Sequence, residues 1–378
     1  MHAWPDIDTT ALRADRLGRV AELMHAHDLD HLLLTGADHI RFATDFRAHL
    51  TNEPDWFAVV MDRSGSFDVF APYVDEVILS PDPALPALRA MHPLPSWSPA
   101  LGHPRFWTAA VAAELNRRGA RRVGHDTIDS VLLAPLRQEL VPIGRELHLI
   151  RQVKHPLEVE LLAAASAVNA GAMEAALAEA APGRTDHDLL AAAMRYQQAA
   201  GAEFVTHSVC NLRKGSGDWF AHGATLREGD PFFFDIGMHG IGGYGSDAAR
   251  TGFVGEPRPE VARAFRLLQE AHLLAQATAR PGVRASAIQT AVNGFLTGHG
   301  LAPTPYAVGH GVGLRICELP TLHRADRMDS DEVLRAGHVI ALEPETAVES
   351  GGELVVLKIE DDFVVEDNGL RQLTIPPL

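Results

Sequence analysis

The stretches PGRTDHDLLAAAMRYQQAAG at 182–201 and PGVRASAIQTAVNGFLTGHG at 281–300 decide the fold of this chain. Both open on Pro-Gly and close on Gly, 99 residues apart, and inside them Leu189 matches Ile288, Ala192 matches Ala291 and Tyr196 matches Phe295. Each block follows a longer helical pattern, 156–181 and 257–279, and precedes strand-like runs. Two copies of helix, helix and sheet imply a pseudo-symmetric domain. A period of this length is too long for a solenoid, so the copies are expected to pack face to face as one unit.

Acidic residues fall symmetrically on the repeat. Asp235 ends the apolar run Phe232-Phe233-Phe234, and Glu343 follows Val339-Ile340-Ala341-Leu342 at the comparable place in the second copy. Asp247 follows Tyr244-Gly245-Ser246 on the next strand, and Glu360 follows Val355-Val356-Leu357-Lys358-Ile359. A carboxylate in or at the end of an apolar strand is costly unless it is paired or binds a metal. Four of them converging with His310 would repel one another unless cations lay among them. Oxygen-rich ligation with one imidazole suits a pair of divalent ions.

Ahead of the repeat, residues 1–150 alternate helical and strand patterns: a helix over 10–27, short strands at 31–35, 56–61 and 67–70, a helix over 104–117, a strand at 122–125 and a helix over 131–140. This reads as a compact α/β domain. The joint falls at 147–155, where Pro156 opens a long Ala-rich helix at its first position and Gly183 closes it. A chain of 378 residues exceeds the size at which one core keeps growing, so two domains are expected.

A formal net charge of -16 argues against nucleic acid or an anionic membrane as partner. Two cysteines, Cys210 and Cys317, make no disulfide framework and point to a reducing compartment. The start, Met1-His2-Ala3-Trp4-Pro5-Asp6, lacks a basic segment followed by an apolar one, and no stretch approaches 18 consecutive apolar residues. A cytoplasmic location is the expectation.

Asp235-Ile236-Gly237, Tyr244-Gly245-Ser246-Asp247 with Arg250-Thr251, Gly309-His310-Gly311-Val312-Gly313-Leu314, Glu343-Pro344 and Ile359-Glu360-Asp361-Asp362 follow one another across 222–362. In kind and order they resemble the motifs of the pita-bread metallopeptidase family. The resemblance extends over nearly the whole chain to that family's Xaa-Pro aminopeptidase, prolidase and creatinase-like branch. It implies an α/β (α+β) protein with a creatinase-like N-terminal domain at 1–150 and a pita-bread catalytic domain at 151–378. It also implies a metal centre in which Asp235 chelates one ion, Asp247 and Glu360 bridge both, and His310 and Glu343 complete the other. Manganese is the expected metal, with cobalt, zinc or iron as alternatives. His222 resembles the family's substrate-facing histidine, and Glu343 is placed to shuttle a proton to the leaving amine.

The implied activity is hydrolysis of short peptides by an Xaa-Pro aminopeptidase or dipeptidase, in a homodimer, with the ions activating a water. Two alternatives remain open: hydrolysis of a non-peptide amide or other small C–N compound, and a non-catalytic binding module. The chain departs from the family pattern at several places. His222 and Asp235 stand 13 positions apart, closer than is usual in the family. Ile316-Cys317-Glu318 stands where a second histidine is usual, Ala249 replaces a threonine, and Lys358 stands where an arginine is common. A thiol cannot supply the cationic hydrogen bond of an imidazolium, and lysine lacks the fork of arginine.

Overall fold

The computed structural model describes residues 4–47, 57–72, 85–95, 104–127, 130–213, 215 and 218–375. The chain divides into two units, Asp8–Arg151 on the one hand and Gln152–Leu378 together with Met1–Ile7 on the other. The first residues thus group with the larger unit, not with 8–150 as the expected boundary had it. Trp4 shows why: its indole N–H donates to the Ala200 carbonyl at 2.9 Å, and its ring packs against Ala165, Val168 and Met238.

In the smaller unit, strands β1 (His31–Leu34), β2 (Ala58–Asp62), β3 (Phe67–Pro72), β4 (Leu88–Leu94), β5 (Arg122–His125) and β6 (Glu139–Pro142) form a mixed sheet in the order β4-β3-β2-β1-β5-β6. Helices Thr9–Ala26 and Pro104–Arg117 lie where the sequence pattern placed them. The helix expected over 131–140 does not form. A four-residue turn of helix, Ser130–Leu133, ends before Ala134-Pro135, and β6 follows. Proline disfavours helical backbone at the residue ahead of it and brings no N–H. The sequence pattern missed helices Ala37–Thr44 and Gly144–Arg151 and strand β4. Part of the strand expected at 56–61 and the end of the chain lie outside the described residues.

The larger unit repeats one design. Helices Pro156–Ala178 and Asp186–Ala199 precede β7 (Phe204–Asn211), β8 (Pro231–His239) and β9 (Gly245–Phe253); helices Pro259–Thr278 and Ala285–Gly298 precede β10 (Gly309–Gly311), β11 (Glu318–Thr321), β12 (Val339–Leu342), β13 (Glu345–Ser350), β14 (Glu353–Glu366) and β15 (Gly369–Gln372). The turn between the two helices of each copy is the same. Gly183 and Gly282 both adopt left-handed backbone, φ 88° and 87°, which favours glycine. Their N–H groups donate to Leu226 and Leu334, and isolated bridges Thr185–Thr225 and Arg284–Val333 follow.

The strands join one antiparallel sheet in the order β11-β10-β12-β14-β9-β8-β7, with β13 and β15 also paired to β14. β14, 14 residues long, pairs with β12 of its own copy and with β9 of the other, so the copies meet along it. The helices bury one face of this sheet. Met173, Ala176, Leu189 and Ala193 pack on Phe232, Phe234, Ile236 and Ala248; Leu268, Ala271, Ile288 and Val292 pack on Ile340, Leu342, Leu357 and Ile359. The helix Pro156–Ala178 is long and apolar enough to cross a membrane by length and composition, yet 56% of that window is buried inside the unit.

Candidate metal centre

Side chains alternate across a strand, so burying Phe234 and Ile236 under the helices turns Asp235 to the opposite face of the sheet. The same parity sends Asp247 past Ala248, Lys358 and Glu360 past Leu357 and Ile359, and Glu343 past Leu342. His310 joins them from β10, which is squeezed between β11 and β12. A Cβ on Gly309 would overlap the Ala341 carbonyl, and one on Gly311 the Leu319 carbonyl. The glycines flanking His310 therefore permit close backbone approach while the imidazole reaches inward.

Four of the five expected ligands meet at one nitrogen, and Asp235 is joined to them through His207 and Lys358. His310 Nε2 lies 3.6 Å from Glu343 Oε1 and 3.7 Å from both Asp247 Oδ2 and Glu360 Oε1. Among the described residues, Glu360 Oε1, Glu360 Oε2 and Asp247 Oδ1 are buried without a hydrogen-bond donor. Three carboxylate oxygens around the His310 nitrogen, Glu360 Oε1 among them without a donor, at separations suited to ligands each about 2.0–2.2 Å from a common ion, fit a divalent metal.

Two cationic side chains share the cluster. Lys358 Nζ lies 2.6 Å from Asp235 Oδ2, 2.9 Å from Glu343 Oε2 and 3.3 Å from Glu360 Oε2, with the rings of Trp219 and Tyr306 at 4.9 and 5.5 Å. His207, on β7, lies 2.9 Å from Asp235 Oδ1 and 3.2 Å from Asp247 Oδ1 through its Nε2.

Titration follows these contacts. Burial would lower the His207 pKa, but the carboxylates of Asp247 and Asp235 outweigh it and push it up to about 11. Burial likewise opposes ionisation of Asp235, yet Lys358 and His207 hold its carboxyl below the usual range. Glu360 goes the other way: burial and the charge of Asp247 raise it well above an ordinary glutamate despite Lys358. Burial raises Asp362 to about 7, helped by the charge of Asp247, although its Oδ2 accepts from Ser166, Ser246 and the Asp247 amide at 2.8, 2.7 and 3.3 Å. Those three bonds orient the backbone that carries Asp247. Arg250 donates to the Glu360 carbonyl at 2.7 Å and ties β9 to β14 beside the centre.

Other sequence expectations land elsewhere. His222 is not brought to the cluster: its side chain is 57% exposed and its Nε2 lies 3.2 Å from Asp218. Cys317, whose ordinary fate would be a small buried residue, is exposed, with Sγ 3.5 Å from His310 Nε2. Sequence reasoning left His207 out of the site. Its one local signal is a histidine on the strand preceding the Asp235 strand, where the faces must match.

Comparison with known proteins agrees with this geometry. The profile of metallopeptidase family M24 matches residues 160–367, more than half of the chain. The Xaa-Pro dipeptidase of Pyrococcus horikoshii is 27% identical over 232 residues, 60% of this chain and 63% of that protein, so the chain spans less than two thirds of that relative's length. Dipeptidase PepE of Mycobacterium ulcerans superposes with a TM-score of 0.78 at 26% identity, over 99% of this chain and 98% of that one. The prolidase of P. horikoshii OT3 gives 0.79 at 19% identity, over 96% and 99%, and at that identity speaks for the fold alone. The paired helices, shared sheet and inward-facing carboxylates are the pita-bread arrangement. With the family's profile spanning both copies and every acidic motif in place, the chain belongs to metallopeptidase family M24.

Proposed function

We propose that this chain is a metal-dependent Xaa-Pro aminopeptidase or dipeptidase that cleaves short peptides at a centre of two divalent ions, manganese first among them. The observation that carries the reading is the convergence of Asp235, Asp247, His310, Glu343 and Glu360 with three of their buried oxygens left without donors. Divalent ions held there would lower the pKa of a water and polarise a carbonyl. The chain's own residues do the rest. Glu343, with Oε2 held by Lys358, is the group to take a proton and pass it to the leaving amine. Asp362 and Arg250 keep Asp247 and Glu360 in register, and Phe233, Trp219 and Tyr306 form an aromatic wall that excludes water beside Lys358. His222 is assigned to substrate contact, not to metal ligation. A cytoplasmic homodimer is the context we infer, from charge and cysteine usage for the compartment and from resemblance for the dimer.

The test is turnover of Xaa-Pro dipeptides and Xaa-Pro-Xaa tripeptides by manganese-loaded protein, with a chelated control and an Asp247→Ala variant. Chelator-sensitive cleavage, absent in the variant, supports the peptidase, and the preferred length separates dipeptidase from aminopeptidase. Metal-loaded protein without cleavage would refute it. One observation favours a second reading, a non-peptide amide substrate: Cys317 stands beside His310 where the family's second substrate histidine is usual.

A further inference from the structure

We propose that His207 is a direct ligand of one of the two ions, completing a position with Asp235 Oδ1 and Asp247 Oδ1. The inference rests on the two-ion reading above and names a nitrogen ligand beyond its five residues.

The eight carboxylate oxygens of the centre fall into three sets. Asp247 Oδ2, Glu343 Oε1 and Glu360 Oε1 surround His310. Asp235 Oδ2, Glu343 Oε2 and Glu360 Oε2 face the Lys358 ammonium. Asp235 Oδ1 and Asp247 Oδ1 remain, and both face His207 Nε2. With its other oxygen on Lys358, Asp235 has one left to offer an ion, and Glu360 has none to spare on this side. A further donor is needed, and His207 is the side chain in place.

A single imidazole N–H cannot satisfy both carboxylates. It bonds Asp235 at 2.9 Å and leaves the buried Asp247 Oδ1 without a donor. A cation between the three atoms satisfies all of them. The other ring nitrogen is already engaged: His207 Nδ1 lies 3.1 Å from Thr206 Oγ1, the outer bond that fixes the tautomer of a metal-binding histidine and frees Nε2.

The sheet also makes room for this ring. His207, Gly237 and Asp247 are directly opposed across β7, β8 and β9. Any Cβ on Gly237 would overlap both the His207 ring and the Thr206 hydroxyl. A register shift between Val205 and His207 bends β7 at this point, the kind of irregularity that re-aims a side chain. Asp247 then bridges, with Oδ1 toward His207 and Oδ2 toward His310.

The experiment is X-ray absorption of cobalt-loaded protein, which counts coordinated imidazoles from their outer-shell scattering, together with metal analysis after dialysis. The expected result is two imidazoles per two ions in the unaltered protein. In His207→Gln, one imidazole should remain and the more weakly held ion should lose affinity by roughly tenfold or more, the scale of removing a supporting metal contact. One imidazole for two ions in the unaltered protein, with chelator-sensitive peptidase activity intact, overturns the inference and leaves the peptidase reading standing. Protein that takes up no ion overturns both. If the Gln variant fails to fold, the count in the unaltered protein decides alone.

Discussion

Lys358 and Asp235 stand 123 positions apart in sequence and 2.6 Å apart through Nζ and Oδ2, the one on β14 and the other on β8. The ammonium acts as an internal counterion for three carboxylates of the centre. Removing one partner from a buried ionic cluster costs about 3–5 kcal/mol, because the remaining charges keep their desolvation penalty. Lys358→Met should therefore destabilise the chelated protein by roughly that amount in urea unfolding. Divalent ions should recover a large part of the loss. An equal loss with and without metal would show that Lys358 and the ions do not neutralise the same charges.

Metal removal should also register in the fold. A ligand present at 100 times its Kd stabilises the folded state by about 2.7 kcal/mol. Treatment with a chelator should lower the midpoint of thermal unfolding, and manganese should restore it. Asp247→Ala, which deletes the residue facing both His207 and His310, should lose this metal response.

Cys317 offers a substrate test. Its exposed thiol sits 3.5 Å from His310 Nε2. If the substrate is a peptide, Cys317→His should raise kcat/KM for Xaa-Pro substrates by about tenfold or more, the value of one added hydrogen bond from a charged donor. A fall in that ratio with metal content unchanged would speak for a non-peptide substrate.

His338 sets an acid limit. It is fully buried, neither ring nitrogen has a hydrogen-bond partner among the described residues, and burial lowers its pKa to about 4, with Arg335 and Lys154 adding to the shift and Glu332 opposing it. The unfolded chain protonates this imidazole near pH 6.5 and the folded chain only near 4, so the unfolded state binds more protons between those values. Stability is thus lost as pH falls through that window, by up to about 3 kcal/mol from this residue. His338→Leu should flatten the slope of unfolding free energy against pH over that range, whatever its effect at pH 7. An unchanged slope would assign the acid sensitivity to other groups.

The placing of the four expected carboxylates was legible because each stands in or beside an apolar strand whose alternation fixes the face it takes, and that of His310 because glycines flank it. The repeat was legible because the same Pro-Gly turn introduces both second helices, and the structure gives the two turns matching φ values. His207 was not legible in that way. Its place depends on the register of β7 against β8 and on the gap over Gly237, both of which relate residues about thirty positions apart. Lys358 was read as a departure from a pattern, and only the fold shows its ammonium among the ligands. The helix expected over 131–140 stops for a local reason, the Ala134-Pro135 step inside its periodic pattern.

The seam between the two copies has a consequence for assembly. Asp235 and Asp247 come from one copy, His310, Glu343 and Glu360 from the other, and the line between them runs where β9 meets β14. Neither half holds the full set of charges by itself, so the complete set exists only once strands more than a hundred residues apart have paired. Separately produced halves, divided around Gly255 and Glu256, would each carry only three of the centre's candidate ligands until they found each other.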